Sequence, residues 1–403
     1  MRTKIKNAVF VTETLETDKY LYIKNGVIDA FTDDELDYDC EIDAEGLYVS
    51  PGFIDIHTHG AGGYDFGDGE VSDIKNAAYT HATYGTTTIF PTCTSSSTED
   101  TLKFIKNVKA AMEDNEPGLP NIAGAHLEGP YFADAQRGAQ NPEHIKAPCR
   151  SEYTEFVKNG RGAVRRISFA PELPGSEELC EFLTENGIVA SFGHTDAIYQ
   201  EIKRLIKKGC KLATHLYSGM NGVTRRNCYR KLGAVETAFL EDDVYVEIIA
   251  DGIHLPPELL KLIYKIKGPD RISLVTDSMR GAGKGEGESV LGPKNDPTSM
   301  KCIIKDGVAF LTDMTAFAGS VATTDRLVRV MNKSVGIPLC ECIKMMTKTP
   351  AKIMGLADRG AIKEGYIADL VFFDEDINIK KVILQGVELK EQKGLRNNGN
   401  QNL

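Results

Sequence analysis

Eight short apolar runs, spread over residues 51–350, constrain the fold of this 403-residue chain more than any other feature of its sequence. Amphipathic helical patterns lie between most of them, for example over residues 99–114, 177–186 and 197–208. The runs cover residues 53–57, 86–90, 122–126, 166–170, 188–192, 211–214, 246–250 and 272–276. Eight strand–helix units over roughly 300 residues are typical of an α/β fold of the (β/α)8 TIM-barrel type. A doubly wound open sheet is the alternative, but neither a GxGxxG motif nor a P-loop follows the first run.

Both ends of the chain have a different pattern, in which short β-rich segments alternate with polar turns such as Asn25-Gly26. The segments cover residues 7–12, 19–23, 26–31 and 46–49, and then 365–373, 380–384 and 387–389. We therefore predict one small β-sandwich that both termini build together beside the barrel. The predicted boundaries are 1–50 and 351–390 for the halves of the sandwich, 51–350 for a metal-dependent barrel hydrolase, and 391–403 for a disordered polar tail.

The composition and charge of the chain indicate which partners and which cellular location to expect. The net charge of −11 would repel phosphate backbones and anionic lipids, so neither nucleic acid nor a membrane surface is an expected partner. Nine cysteines without a CxxC pair are typical of reduced thiols. The sequence shows no signal-peptide pattern and no apolar run of about 20 residues. Together these features predict a cytoplasmic protein.

Most of the histidines lie at, or just after, the ends of predicted barrel strands. Six of the eight do so, namely His57, His59, His126, His194, His215 and His254. The exceptions are His144 and His81, and His81 is expected to be solvent-facing or packed rather than a metal ligand. The carboxyl ends of barrel strands meet at one rim, where TIM barrels build their active sites. The sequence thus predicts a histidine-rich site at this rim.

Carboxylates at the same strand ends indicate a metal site. Glu128, His194 and His215 follow three different strands and form the ligand set of a catalytic divalent metal, with the fourth position left to water. His57 and His59 are two residues apart on a strand and point to one face, as a second metal pair or as hydrogen-bonding core residues. Asp277 follows the last strand, where it could transfer protons beside a metal or form a salt bridge.

Two further segments carry weaker signals. The glycine-rich residues 280–292 are expected to form a mobile loop after the last strand, because a phosphate-binding loop would be followed by a helix. The basic group Arg225, Arg226, Arg230 and Lys231 could clamp an anionic part of a substrate, although a solvated loop is an equally good interpretation.

Several motifs resemble those of the amidohydrolase superfamily and, within it, of the N-acetylglucosamine-6-phosphate deacetylases. They are SPGFIDIHTHG (50–60), HLEGPYF (126–132), GHTDA (193–197), THLYSGM (214–220), ADGIHLPPELL (250–260), LVTDSM (274–279) and FAGS (317–320). The resemblance implies hydrolysis of the acetamide of N-acetylglucosamine 6-phosphate. It assigns Glu128, His194 and His215 as metal ligands, and Asp277 as the catalytic acid and base. It also implies one or two divalent ions per subunit, zinc or iron, and a homodimer with its active sites near the subunit interface.

The resemblance also implies a set of residues that contact the sugar phosphate. They are Ala139, Gln140, Ser218, Gly219, Arg226, Asp251, Gly252, Ile253, His254, Phe317, Ala318 and Gly319. Arg226 would contact the phosphate, while Gln140 and His254 would hold the sugar and support the oxyanion. The chain departs from the family where THLYSGM replaces THLYNAM, where Gln140 replaces a histidine, and in an extra stretch at 292–301. A deacetylase for another N-acetylated sugar phosphate or N-acyl compound, or more remotely a non-catalytic sugar-phosphate-binding barrel, is therefore kept as an alternative.

Overall fold

The chain begins with seven short strands, seen here in a computed structural model that describes residues 1–391. The strands are β1 (Arg2–Lys6), β2 (Val9–Val11), β3 (Leu15–Glu16), β4 (Tyr20–Lys24), β5 (Val27–Thr32), β6 (Cys40–Asp43) and β7 (Tyr48–Pro51). The tail predicted to be disordered, residues 391–403, lies outside the described residues except for Glu391.

The barrel and its loops contain the next thirteen strands. They are β8 (Phe53–Thr58), β9 (Gly60–Ala61), β10 (Tyr64–Asp65), β11 (Thr86–Cys93), β12 (Asn121–Ile122), β13 (Ala125–Glu128), β14 (Val164–Phe169), β15 (Val189–Phe192), β16 (Leu212–Ala213), β17 (Thr224–Arg226), β18 (Tyr229–Lys231), β19 (Tyr245–Ile248) and β20 (Ile272–Leu274). Eight of these pair in parallel in the order β8, β11, β13, β14, β15, β16, β19 and β20. They overlap the eight predicted runs, so the predicted (β/α)8 barrel is confirmed.

Between the last barrel strand, β20, and the first, β8, side-chain hydrogen bonds and isolated backbone hydrogen bonds complete the barrel. The N–H of Asp277 donates to the carbonyl of His57 at 2.9 Å. Below this bond, the Thr276 hydroxyl donates to Asp55 Oδ2 at 2.6 Å. Burial raises the pKa of Asp55 to about 7, although hydrogen bonds from Thr276 and from the His57 backbone oppose the rise. This seam brings the ends of β8 and β20, and hence His57 and Asp277, side by side.

Within residues 1–391, ten α-helices connect and cover the strands. They are α1 (Val71–Thr83), α2 (Thr98–Glu113), α3 (Arg150–Asn159), α4 (Ser176–Glu185), α5 (Tyr199–Lys207), α6 (Ala234–Leu240), α7 (Pro257–Lys267), α8 (Thr324–Arg329), α9 (Leu339–Met346) and α10 (Lys348–Ile353). The three predicted helices correspond to α2, α4 and α5. Helix α2 begins where Ser97 accepts a hydrogen bond from the N–H of Asp100, which satisfies one of the free donors of the first turn. Within residues 1–391, no helix has both the length and the apolar character needed to cross a bilayer.

A four-stranded antiparallel sheet follows the last barrel strand. Its strands are β21 (Gly287–Leu291), β22 (Met300–Lys305), β23 (Val308–Leu311) and β24 (Phe317–Ser320). The prediction of a mobile loop over residues 280–292 is therefore wrong for its second half, which is β21. Leu291, Cys302 and Ile304 build a small core with Met279, and this buried contact with the barrel orders the sheet.

The two termini form the predicted sandwich. The last strands are β25 (Leu370–Phe373), β26 (Ile379–Leu384) and β27 (Val387–Glu388). One sheet has the order β5-β4-β1-β6 and the other β27-β26-β25-β7-β2-β3. In the second sheet, Phe372 lies opposite Val49, and these side chains share a core with Ile5, Phe10 and Leu21. The sandwich built by both ends of the chain is confirmed, whereas the boundaries 1–50, 51–350 and 351–390 stay a prediction.

Candidate metal centre

Glu128 lies at the centre of the predicted site. Its Oε1 atom is 2.9 Å from His215 Nε2 and 3.2 Å from His194 Nε2, and all three side chains are buried. The two imidazole Nε2 atoms are 3.1 Å apart. Nitrogen and carboxylate ligands from three separate strands thus face one point, an arrangement that fits a divalent ion with an open position.

Glu128 also belongs to a second group of possible metal ligands, together with His57, His59 and Asp277. His59 Nε2 is 3.3 Å from Glu128 Oε2 and 3.1 Å from Asp277 Oδ1. His57 Nε2 lies 3.5 Å from Glu128 Oε1 and 3.5 Å from Asp277 Oδ1, and it is buried without a hydrogen-bond partner within residues 1–391. An unpaired buried nitrogen that points at two carboxylates suits a metal ligand. The structure therefore brings His57 and His59 to the same centre as Glu128 and Asp277.

Strained backbone turns aim three of these side chains. His194, His215 and Asp277 have φ values of +46°, +27° and +45°, in the left-handed region that non-glycine residues rarely adopt. Each lies two or three residues after the end of a barrel strand. Such strain persists where the surrounding structure enforces it, and it is concentrated at functional sites. Here the turns direct the three side chains towards the centre of the rim.

Both central carboxylates are ionised at neutral pH. Burial disfavours the ionised form of Glu128, but His57, His194 and His215 hold its pKa well below the usual range. Burial likewise opposes ionisation of Asp277, whereas His57 and His59 lower its pKa to about 2. Two buried anions within one ring of imidazoles favour binding of a cation.

A buried ion pair below the rim orients His57. Glu247 Oε2 lies 3.2 Å from His57 Nδ1 and also accepts a hydrogen bond from the N–H of His215 at 3.1 Å. The Arg166 guanidinium binds both oxygens of Glu247, with Nη2 3.0 Å from Oε2. Burial alone would raise the pKa of Glu247, but Arg166 and His57 lower it to about 2. Neither residue was predicted as part of the site, although each is a charged residue within an apolar strand run.

The backbone around Gly219 fits closely behind His194. The carbonyl of Gln136 lies 2.8 Å from His194 Nδ1 and accepts its proton, which leaves Nε2 free to bind a metal. A Cβ atom at Gly219, where φ is +56°, would lie 2.7 Å from His194 Nδ1 and 2.9 Å from the Gln136 carbonyl oxygen. The glycine at position 219 therefore leaves room for the His194 ring, and its predicted contact with the sugar stays a prediction.

Residues 48–389 match the model of the amidohydrolase family. The chain belongs to this family. It is 30% identical over 390 residues to an N-acetylglucosamine-6-phosphate deacetylase of Bacillus subtilis (strain 168), covering 95% of this chain and 96% of the relative. It is also 30% identical over 336 residues to an N-acetylgalactosamine-6-phosphate deacetylase of Shewanella sp. (strain ANA-3), with 83% and 81% covered. A crystal structure of N-acetylglucosamine-6-phosphate deacetylase from Pasteurella multocida is similar with a TM-score of 0.89 and 28% identity, over 96% of this chain and 99% of that one.

The family assignment confirms the resemblance drawn from the motifs. Amidohydrolases are typically dependent on a divalent metal, and the group of Glu128, His194 and His215 is a plausible site for one. The donor atoms do not identify the metal, because imidazole and carboxylate ligands suit several divalent ions.

Gln140 lies beside the metal centre of this amidohydrolase. Its side chain is 6% exposed, and its amide nitrogen donates to Glu128 Oε2 at 2.7 Å. Its amide oxygen accepts a hydrogen bond from the N–H of Ser95, also at 2.7 Å. Both ends of the amide are therefore engaged by the protein. The expectation that Gln140 holds the sugar and supports the oxyanion stays a prediction.

The predicted sugar-contacting segments form another part of the rim. Asp251 Oδ2 lies 2.7 Å from His254 Nδ1, while Asp251 Oδ1 accepts hydrogen bonds from the N–H groups of Ile253 and His254 at 2.9 and 2.8 Å. Phe317, on strand β24, lies with its ring centroid 4.6 Å from that of His254. The structure thus brings these two predicted segments together. The adjoining Ala318 is buried and Gly319 follows with φ of +83°.

Arg226 lies apart from the metal centre. It belongs to the exposed hairpin of β17 and β18, where its Nη2 atom is 3.5 Å from the carbonyl oxygen of Asp196. Ser218 and Ala139 are half-buried nearer the rim, and the N–H of Ser218 donates to the carbonyl of His215 at 3.0 Å. Within residues 1–391, no hydrogen bond or ion pair joins Arg226 to the histidine–carboxylate group.

Two of the remaining histidines are structural. His126 is buried below His57 and its ring nitrogens contact Ser168 Oγ at 2.7 Å and Thr92 Oγ1 at 3.2 Å. Burial and the nearby Arg166 charge hold the pKa of His126 well below its usual range, so the ring is neutral. His81 is also buried, with Nε2 3.0 Å from Thr58 Oγ1. The expectation that His81 is packed is confirmed, and the solvent-facing alternative is wrong.

Proposed function

We propose that this amidohydrolase hydrolyses the acetamide of N-acetylglucosamine 6-phosphate to glucosamine 6-phosphate and acetate. The observation that carries the proposal is the convergence of Glu128, His194 and His215 beside the ionised Asp277 at the rim of the barrel. Relatives that share most of their length with this chain are deacetylases of hexosamine phosphates, which supports the choice of substrate.

Asp277 performs the proton transfers in this proposal. A divalent ion held by Glu128, His194 and His215 would supply Lewis acidity and lower the pKa of a nearby water. Asp277, whose pKa is about 2, is a base at neutral pH and accepts the proton of the attacking water. It then delivers that proton to the departing nitrogen, because an amine leaves poorly unless it is protonated.

A second ion is part of the proposal. The two oxygens of Glu128 face different groups, with Oε1 towards His194 and His215, and Oε2 towards His59. His57 and His59 would hold the second ion together with Glu128. We propose zinc or iron as the bound metal, since imidazole nitrogen and carboxylate oxygen suit both.

The rim around His254 is the proposed sugar site. Asp251, Gly252 and Ile253 form the turn that holds the His254 ring, and Phe317 to Gly319 lie against it. Ala139 and Ser218 lie on the segments that we expect to complete it. His254 would hold the sugar and support the oxyanion in this proposal. The sugar contacts predicted for Gln140 and Gly219 stay predictions, and both residues also lie against the metal ligands.

The exposed hairpin is the proposed phosphate and dimer region. An acidic protein needs a local positive charge to bind a sugar phosphate, and a guanidinium can bind phosphate through two parallel hydrogen bonds. Arg226 is the proposed contact. Tyr229 on the same hairpin is 74% exposed, which supports burial against a second copy of the chain. We propose a homodimer, and a cytoplasmic enzyme because all nine cysteines are free.

A specific observation keeps N-acetylgalactosamine 6-phosphate as the second candidate. A relative with that activity in its name is as similar to this chain, at 30% identity, as a relative named for the glucosamine compound. The experiment measures the rate of acetate release from three substrates. They are N-acetylglucosamine 6-phosphate, N-acetylgalactosamine 6-phosphate and unphosphorylated N-acetylglucosamine. We expect the highest kcat/KM for the first of these. Failure to release acetate from any of the three by the metal-loaded protein would contradict the proposal.

A further inference from the structure

One loop, residues 133–140, contacts two of the three proposed metal ligands. The N–H of Ala133 donates to the carbonyl of His194 at 2.9 Å, and the carbonyl of Gln136 accepts the His194 Nδ1 proton at 2.8 Å. At the other end of the loop, Gln140 donates to Glu128. The loop therefore holds one ligand through its backbone and the other through a side chain.

The orientation of the Gln140 amide follows from its partners. The N–H of Ser95 can only donate, so the amide oxygen must face Ser95 and the amide nitrogen must face Glu128. Both distances are 2.7 Å. The side chain thus bridges the segment after β11, which contains Ser95, to the end of β13, which contains Glu128. Buried polar groups engaged at both ends are rigid, and this rigidity passes to the carboxylate.

We propose that Gln140 is a positioning residue for the metal ligand Glu128, not a group that contacts the substrate. The hydrogen bond to Oε2 keeps the carboxylate in the orientation that places Oε1 2.9 Å from His215 Nε2 and 3.2 Å from His194 Nε2. The inference rests on the proposed metal-dependent function. It differs from the expectation that Gln140 holds the sugar and supports the oxyanion.

Removing the amide has two consequences. The N–H of Ser95 and one oxygen of Glu128 would lose their buried partner, and the carboxylate would be free to rotate away from the two histidines. Partners that orient metal ligands typically contribute about 10- to 100-fold to metal affinity. We therefore expect a loss of that size for Zn²⁺ binding, with little change in KM once the site is saturated with metal.

The test uses Zn²⁺ as the probe, with affinity measured in competition with a chromophoric chelator and without substrate. Gln140→Met keeps the length and volume of the side chain but neither hydrogen bond, and we expect it to weaken zinc binding about 10- to 100-fold. Asn141→Ala is the matched control, because this neighbouring amide contacts Thr298 and Glu143 and no metal ligand. Its zinc affinity should change less than about threefold.

Two results would overturn the proposal. One is an unchanged zinc affinity in Gln140→Met, and a raised KM beside it would indicate that Gln140 contacts the substrate. The other is equal weakening in Asn141→Ala, which would indicate a general effect of the loop. If Gln140→Met fails to fold, judged by circular dichroism, Gln140→Asn replaces it, because one methylene less prevents the amide from reaching both partners. Wild-type protein that binds zinc but releases no acetate would contradict the proposed function while leaving the zinc comparison valid.

Discussion

Glu247 lies directly behind His57, with its Oε2 atom 3.2 Å from the Nδ1 atom of that histidine. Because Nδ1 is held by a carboxylate, the opposite nitrogen, Nε2, faces Glu128 and Asp277. Arg166 holds Glu247 in turn, so a buried charge pair inside the barrel is continuous with the metal centre at its rim. This relationship links the stability of the barrel to the geometry of the site.

Glu247→Gln should destabilise the protein strongly. The substitution leaves the Arg166 guanidinium buried without its counter-charge, and breaking a buried pair in this way typically costs about 3–5 kcal/mol. The free energy of unfolding in urea measures the effect. Glu241→Gln is the control, since the Glu241–Lys203 pair is more exposed and surface pairs contribute about 0–1 kcal/mol. Equal losses for the two variants would contradict the role given to Glu247.

Asp277→Asn should keep the fold and the metal ligands but lose turnover. An amide cannot accept the proton of the attacking water, and loss of a general acid–base group typically lowers the rate by roughly 10²- to 10⁴-fold. The kcat for N-acetylglucosamine 6-phosphate is measured beside the metal content of the same sample. Near-normal kcat at full metal content would rule out the assignment of Asp277.

His194→Ala and His59→Ala should separate the two proposed ions. His194 belongs only to the group of Glu128 and His215, whereas His59 belongs only to the group of Glu128 and His57. Elemental analysis of purified protein should show loss of the first ion and of activity in His194→Ala, and one remaining ion in His59→Ala. The ligand assignment fails if His194→Ala and His215→Ala both keep full metal content and activity.

Gly219→Ala should impair the metal site through contact with His194. The added Cβ would lie 2.7 Å from His194 Nδ1, and overpacking of this kind costs about 1–3 kcal/mol, or roughly 5- to 150-fold in affinity if it falls on metal binding. Gly355→Ala provides the control, because Gly355 has a similar φ of +67° and nothing lies within 4 Å of its added Cβ. Zinc affinity is the measurement, and equal values in the two variants would contradict the steric argument.

Arg226→Ala should raise KM for N-acetylglucosamine 6-phosphate far more than for the unphosphorylated sugar. Loss of charge-assisted hydrogen bonds of about 1.5–3 kcal/mol corresponds to roughly a 10- to 150-fold weaker interaction. Arg225→Ala, one residue earlier on the same exposed strand, is the comparison, and kcat/KM for both sugars is the measurement. If the wild-type enzyme does not prefer the phosphorylated sugar, the assignment as a sugar-phosphate deacetylase fails.

The sequence alone determined the barrel and the identity of its rim. Each barrel strand is a short apolar run, and burial on both faces of a parallel strand makes such runs visible without any knowledge of their partners. Because parallel strands end at the same rim, residues such as Glu128, His194 and Asp277 could be brought together on strand order alone. The sandwich could also be predicted, because turn signals and β-rich segments are properties of the local sequence.

Only the tertiary structure decided which side chains contact one another within that rim. His126 and Glu128 are two residues apart on one strand, yet His126 is deeper in the barrel and contacts Ser168 and Thr92 instead of the metal centre. The pair of Arg166 and Glu247 joins strands that are distant in sequence. Contacts of this kind depend on depth in the barrel and on distances across it, which local periodicity does not contain.

Long-range packing also explains why the surroundings of the loop residues could not be predicted from the sequence. Gln140 and Gly219 are predicted substrate contacts by their position in the motifs, but only the packing of their loops shows that they also lie against Glu128 and His194. Strand β21 was predicted as part of a mobile loop because the segment before it is rich in glycine, but a core shared with the barrel orders it. Local sequence thus determined the strands and the chemistry of their ends, while long-range packing decided the partner of each side chain.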